Sequence, residues 1–304
     1  MIPHDVILGT LYLSQTGLGV LGNSILLCFF IFTSRKLRPT DQIMSQLTLA
    51  NFIFLLSTGI PMKIAVFGVK DFLDDTWCKI DFYLQRVSRC LSLCSTCLLS
   101  GFQAIVISPV SSPWEGVKAR APKYIISSCI FCWLFSLLIE VGIAIGITGP
   151  QRHNTNFTVT VDLIFCTWKE PSSNFVWLTT FRDVFCVALM ICTSGYKVIL
   201  LRKHHQQVQH LHRTSCCPRA SPEIRVTGSI LLLLSTFVSF YLVNGIFAFC
   251  YTYFLHSRSS LINVSTFLVL CFPTISPFLL ISRDSQVARA CCVPRGRHKP
   301  WPPA

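Results

Sequence analysis

Hydrophobic residues in this chain come in long unbroken runs, not in the alternations that mark strands and helices with one wet face. Between Asp5 and Arg35 stand 29 consecutive residues without a charge or a histidine. That is enough for a tilted helix through a hydrocarbon core of about 30 Å. Arg35, Lys36 and Arg38 follow as a stop-transfer flank, and Met1 to Asp5 holds no basic residue, so a span is expected here and not a cleaved signal peptide. With this first run at about 7–33, six more follow at about 42–66, 79–108, 124–148, 175–201, 226–255 and 260–282. The pattern predicts an all-α membrane protein, a seven-transmembrane helical bundle over residues 1–282 with a cytoplasmic tail at 283–304.

Composition agrees with the runs. Only 13% of the 304 residues are charged and 52% are hydrophobic, about half the charge of an ordinary soluble domain. The net charge of +13 would suggest nucleic acid in a soluble chain. Its distribution argues otherwise. Segments 34–41, 109–123, 202–225 and 283–304 hold sixteen Lys and Arg against four Asp and Glu, whereas 1–6, 63–79, 149–174 and 256–259 hold six of each. The positive-inside rule puts the first set in the cytoplasm, the N-terminus outside and the C-terminus inside. The basic excess then faces the anionic inner leaflet of the lipid bilayer, and no nucleic-acid partner is expected.

This topology sorts the 16 cysteines. Only Cys78 and Cys166 lie on the oxidising face, which predicts one disulfide between the third span and the long outer loop. Closing a loop of about 90 residues is worth at most about 4.5 kcal/mol by chain entropy, and its larger effect is to pin that loop over the bundle. Cys90, Cys94 and Cys97 have ligand-like spacing but no histidine or carboxylate close in sequence, so they are read as packing and no metal or other cofactor is expected. Cys291 and Cys292, beside Arg289 and Arg295, suit palmitoylation. Asn156-Phe157-Thr158 is a glycosylation sequon in the outer loop, and Asn263-Val264-Ser265 is one too close to the seventh span to be used.

Ionisable residues inside the spans carry most of the functional information, because a charge at the centre of a spanning helix costs about 2.5 to 3.5 kcal/mol. They are Asp81, Arg86, Arg89, Glu140, Arg182, Asp183 and Lys197. Lys197 is expected to snorkel to the inner surface, and Asp81 lies near the outer one. Arg86 and Arg89 are three apart and share a helix face, about 12 and 16 Å below Cys78. Two readings stand side by side. Arg89 or Arg182 could pair with Glu140 or Asp183 to fix helix register, or Gln85, Arg86, Arg89, Glu140, Arg182 and Asp183 could line an outward-facing cavity for a small anionic ligand.

Three stretches carry a family resemblance: Arg86-Val-Ser-Arg-Cys-Leu-Ser with Leu98 to Pro109, His212 to Val238 with Pro218-Arg-Ala-Ser-Pro-Glu223 at its heart, and Cys271-Phe-Pro-Thr-Ile-Ser-Pro-Phe278. Together they resemble the vomeronasal type-1 receptors. The resemblance implies a G-protein-coupled chemosensory receptor in the plasma membrane. It would bind a small pheromone-like molecule and activate an inhibitory-class heterotrimeric G protein. Phe102-Gln103-Ala104 stands where most rhodopsin-like receptors carry Asp-Arg-Tyr, and Ser276-Pro277 where they carry Asn-Pro, so an ionic lock built on that arginine is not available. Phe102, Gln103, Arg219 and Arg225 are the expected G-protein contacts. Within the resemblance Cys90 replaces a usual glycine, Cys216 and Cys217 are unusual, and Gly228 replaces a polar residue.

Other classes fit less well. A bitter-taste-type receptor would lack the Pro218 to Glu223 segment, and a small-solute transporter would show two halves with paired broken helices. A retinal protein needs a lysine in the last span, where 260–282 has none. No convergent His and Asp set or Gly-x-Ser-x-Gly turn suggests an enzyme.

Overall fold

The computed structural model describes residues 3–32, 38–66, 74–109, 115–148, 160–162, 166–169, 173–211, 222–253 and 258–283. Within them lie α1 (Pro3–Phe32), α2 (Pro39–Val66), α3 (Asp75–Ile107), α4 (Glu115–Ile139), α5 (Val141–Gly146), α6 (Ser173–Leu211), α7 (Pro222–Tyr253) and α8 (Arg258–Arg283). Because α4 and the short α5 run on from one another, they form one interrupted fourth span, and the bundle is seven-helical as the hydrophobic runs predict. Among the described residues, five helices are long and apolar enough to cross a membrane on their own composition. The expected tail, 283–304, falls almost wholly outside the described residues.

The exposed surface of the bundle is apolar. Phe131, Leu138, Ile145, Trp177 and Phe181 are each between 65% and 75% exposed, which is the inverse of a soluble protein and suits contact with lipid tails. Polar side chains turn inward. Asn51 on α2 donates to Ser276 on α8 at 3.0 Å and accepts from Ser92 on α3 at 3.0 Å, while Gln46 donates to Ser95 at 2.8 Å. Three helices are thus tied by neutral hydrogen bonds in a medium that offers no water in exchange.

Helix α8 carries Pro273 and Pro277 inside its length. Proline has no N–H, so Pro277 leaves the carbonyl four residues earlier without its helical donor. That carbonyl belongs to Pro273, and Asn23 Nδ2 on α1 donates to it at 2.9 Å. Close backbone approach makes this reach possible. A Cβ added at Gly22 would stand 2.9 Å from Pro277 Cγ, and one at Gly59 would stand 2.3 Å from Thr16 Cγ2. Small residues let membrane helices meet in this way.

At the Cys78 end of α3 sits a three-stranded antiparallel sheet in the order β1-β3-β2, made of β1 (Ile147–Thr148), β2 (Thr160–Asp162) and β3 (Thr167–Lys169). Ile147 pairs with Trp168 and Val161 pairs with the same residue from the other side. The Cys78–Cys166 disulfide joins this sheet to α3 with a Cα–Cα distance of 6.1 Å. Both cysteines are buried with Ile143 and Ile147, and Phe82 and Phe175 pack against them. The sheet end of α3 is therefore held by a covalent bond and a small apolar cluster together.

Candidate ligand site and the polar core

Glu140 organises the middle of the Cys78 half. It occupies the break between α4 and α5 with φ −93° and ψ 1°, and its carboxylate is 0% exposed. A lone buried carboxylate in a membrane is destabilising, so its partners decide whether it can be there at all. Arg182 Nη1 on α6 donates to its Oε1 at 2.6 Å, and Arg86 Nε on α3 donates to its Oε2 at 3.2 Å. One carboxylate therefore joins three spans.

Arg182 is only 7% exposed. Its Nη2 lies 2.7 Å from Asp183 Oδ1, its Nε donates to the same oxygen at 2.8 Å, and Nη1 also reaches Cys90 Sγ at 3.2 Å. The other oxygen of Asp183 accepts a hydrogen bond from the Tyr241 hydroxyl on α7. Over the ring of Tyr241 lies the Arg89 guanidinium, 5.3 Å from the centroid. The sequence Arg86, Glu140, Arg182, Asp183, Tyr241, Arg89 is thus continuous through four spans. Three guanidinium groups face two carboxylates, which leaves one positive charge in excess.

That excess falls on Arg89. Among the described residues no carboxylate lies within ion-pair distance of it. Its neighbour is a cavity between α2, α3, α7 and α8 with about 480 Å³ of empty space, open solvent included. Phe54, Phe237, Phe240, Tyr241, Leu268 and Phe272 make its walls, and Asn51 and Ser92 contribute polar atoms. Aromatic walls with one charged group are the usual make-up of a small-molecule site.

The predicted ligand set separates on inspection. Of its six members only Arg89 is among the described residues lining this cavity. Gln85 donates to Thr58 on α2 at 2.8 Å, so its amide ties two helices. Arg86, Glu140, Arg182 and Asp183 belong to the internal network, the first of the two readings that the sequence left open. Although Arg86 and Arg89 share a face, the 300° turned over three residues sends them to different partners. Tyr241, Phe237 and Asn51 were missed in the sequence because an aromatic or an asparagine in an apolar run reads as core.

Two further placements differ from expectation. Phe102 and Gln103, predicted to meet a G protein, are 8% and 6% exposed. Phe102 packs in the main apolar cluster with Leu99 and Phe237, and Gln103 accepts from Lys197 at 3.3 Å. Lys197 itself does not snorkel. It is 0% exposed, because its place on α6 turns it towards α3 and not towards the membrane surface. The expectations for Arg219, Asn156, Cys216, Cys217, Cys291 and Cys292, and for the Arg225 side chain, lie outside the described residues. Among the described residues nothing lies within 4 Å of a Cβ built on Gly228.

Residues 6–293 match the profile of the vomeronasal organ pheromone receptor family. The chain belongs to this family. It is 43% identical to the human protein named vomeronasal type-1 receptor 4, over 92% of this chain and 95% of that one. It is also 39% identical to human vomeronasal type-1 receptor 3 over 99% of both chains, and 29% identical to the zebrafish (Danio rerio) olfactory receptor class A-like protein 1 over 93% and 92%. The fold is similar to that of squid rhodopsin, with a TM-score of 0.73 over 95% of this chain and 85% of that one at 14% identity. Family and fold together make this a chemosensory G-protein-coupled receptor, a multi-pass protein of the plasma membrane and not an enzyme.

Membership gives Cys90 a context. Cys90, which stands where the resemblance leads one to expect glycine, is a thiol that is 1% exposed and accepts from Arg182. The larger side chain is accommodated by bonding to the network.

Proposed function

We propose that this receptor binds a small pheromone-like molecule in the cavity beside Arg89 and activates an inhibitory-class heterotrimeric G protein. The observation that carries the ligand site is the guanidinium of Arg89, which borders an aromatic cavity without a carboxylate partner among the described residues. A ligand with an acidic head and an apolar body completes the charge and fills the walls. Glu140, Arg182 and Asp183 act as the frame that holds Arg89 and Tyr241 in place, and Arg86 closes the frame on α3.

In this reading the Cys78 end faces outward, with glycosylation at Asn156, and the basic loops and C-terminus face the cytoplasm, with palmitoylation at Cys291 and Cys292. Arg219 and Arg225, with the rest of loop 202–225, meet the G protein first. Phe102 and Gln103 join that contact once the helices part.

The test is a screen of small carboxylates, sulfates and neutral analogues in cells with confirmed surface receptor. Arg89→Gln should remove the response to the acidic ligands while surface receptor stays within about twofold of wild type, since a neutral amide keeps the packing but not the charge. A retained response in Arg89→Gln, or a hit list without acceptor groups, would count against the site.

A further inference from the structure

We propose that Lys197 is the residue that positions this receptor in its resting state, by bridging α6 to α3 where the arginine switch of other receptors is missing. The ammonium is fully buried and donates to Ser100 Oγ at 3.1 Å and Gln103 Oε1 at 3.3 Å. Both acceptors are neutral. Among the described residues no carboxylate lies within ion-pair distance of Lys197, and the buried carboxylate Glu140 is engaged at the far end of α3.

The Lys197 ammonium needs acceptors once it is out of water, and the closed seam supplies two of them, Ser100 Oγ and Gln103 Oε1. Its long stem can swing to the nearby inner surface, where water solvates the charge. Lys197 therefore has two stations, and the buried one persists only while α3 and α6 stay closed. The same seam is held by Ser100 and Thr193 at 2.6 Å and by Ser108 and Tyr196 at 3.0 Å. Residues 100 and 103 of α3 and Ser108 at its C-cap meet residues 193, 196 and 197 of α6 along one polar stripe. Every bond in the stripe is neutral or donated by a single cation, so the seam can open without separating an ion pair.

Closure has a consequence for coupling. Gln103 and Phe102 are buried while Lys197 is in place, so a cytoplasmic partner reaches them only after the lysine leaves. Lys197 does for this receptor, from α6 into α3, what a charged α3 residue does elsewhere from the other side. The inference uses the family assignment and the proposed orientation but not the ligand site.

The test is ligand-free nucleotide exchange in membranes carrying the full-length receptor and a panel of G-protein classes, normalised to surface receptor. Lys197→Met keeps the stem and removes the donors, and basal exchange should rise about tenfold, the shift given by losing charge-donated hydrogen bonds from the resting state only. Lys197→Arg should restore wild-type basal exchange. Gln103→Glu should push it below wild type by adding a full charge pair. Should Lys197→Met not reach the surface, Gln103→Leu replaces it, with a smaller rise expected. Basal exchange at the wild-type level in Lys197→Met or in both Gln103 variants, with every G protein on the panel, would overturn the proposal. Elevated exchange confined to a class other than the inhibitory one would sustain it and refute the G-protein assignment instead.

Discussion

Removing the Glu140 carboxylate should be among the most damaging single changes in this receptor. Glu140 is 0% exposed and is the acceptor for Arg182 at 2.6 Å and Arg86 at 3.2 Å. In Glu140→Ala, Arg182 keeps Asp183, but its Nη1 retains only a thiol as acceptor, inside the bundle. Taking one partner from a buried pair costs about 3 to 5 kcal/mol, and because Asp183 still compensates Arg182 the loss should fall at the lower end of that range. Arg86 adds little to this, because it is 28% exposed and such charges are largely screened by solvent. Glu140→Gln keeps the shape and one acceptor oxygen, so it should cost about 1.5 to 3 kcal/mol, the range for a hydrogen bond to a charged group.

The assay is thermal unfolding of detergent-solubilised receptor beside surface expression measured by flow cytometry. The order should be wild type, Glu140→Gln, Glu140→Ala. A double-mutant cycle sharpens it. Arg182→Met with Glu140→Leu removes both partners, and its loss should be smaller than the sum of the two single losses, because neither partner is then left behind without the other. Additive losses in that cycle, or an alanine variant as stable as wild type, would refute the view that Glu140 and Arg182 hold the bundle as a pair.

Other expectations follow from the packing. Asn23→Ala should lose about 1 kcal/mol, because it leaves the Pro273 carbonyl with only the longer 3.4 Å bond from Ser276 Oγ. The loss should shrink in a Pro277→Ala background, where a backbone N–H at 277 can supply the missing donor, and equal losses in both backgrounds would show the two are not linked. Gly59→Leu should cut surface receptor several-fold, as its Cβ alone would meet Thr16 at 2.3 Å, whereas Gly228→Leu should not, as no atom of the described residues stands within 4 Å of its Cβ. Cys78→Ser and Cys166→Ser should lower surface receptor equally, and the double variant should be no worse than either, as read by cell-surface labelling.

Hydropathy determined the spans because each must bury every backbone polar group within the thickness of a membrane, and that is a property of length and composition along one axis. The Cys78–Cys166 pair followed from the same one-dimensional reading, since the expected topology left two cysteines on the oxidising side. What a linear reading cannot fix is the rotation of each helix about its own axis. That rotation turned Lys197 inward to α3 instead of outward to the membrane surface, and sent Arg86 to Glu140 and Arg89 to Tyr241 from one shared face. It also buried Phe102 and Gln103. The break at Glu140 was equally out of reach, because a charge in a run of apolar residues looks the same whether the helix bends for it or not. Only the packed bundle, where one carboxylate must satisfy arginines from two neighbouring helices, determines which charge is paired with a carboxylate and which is not.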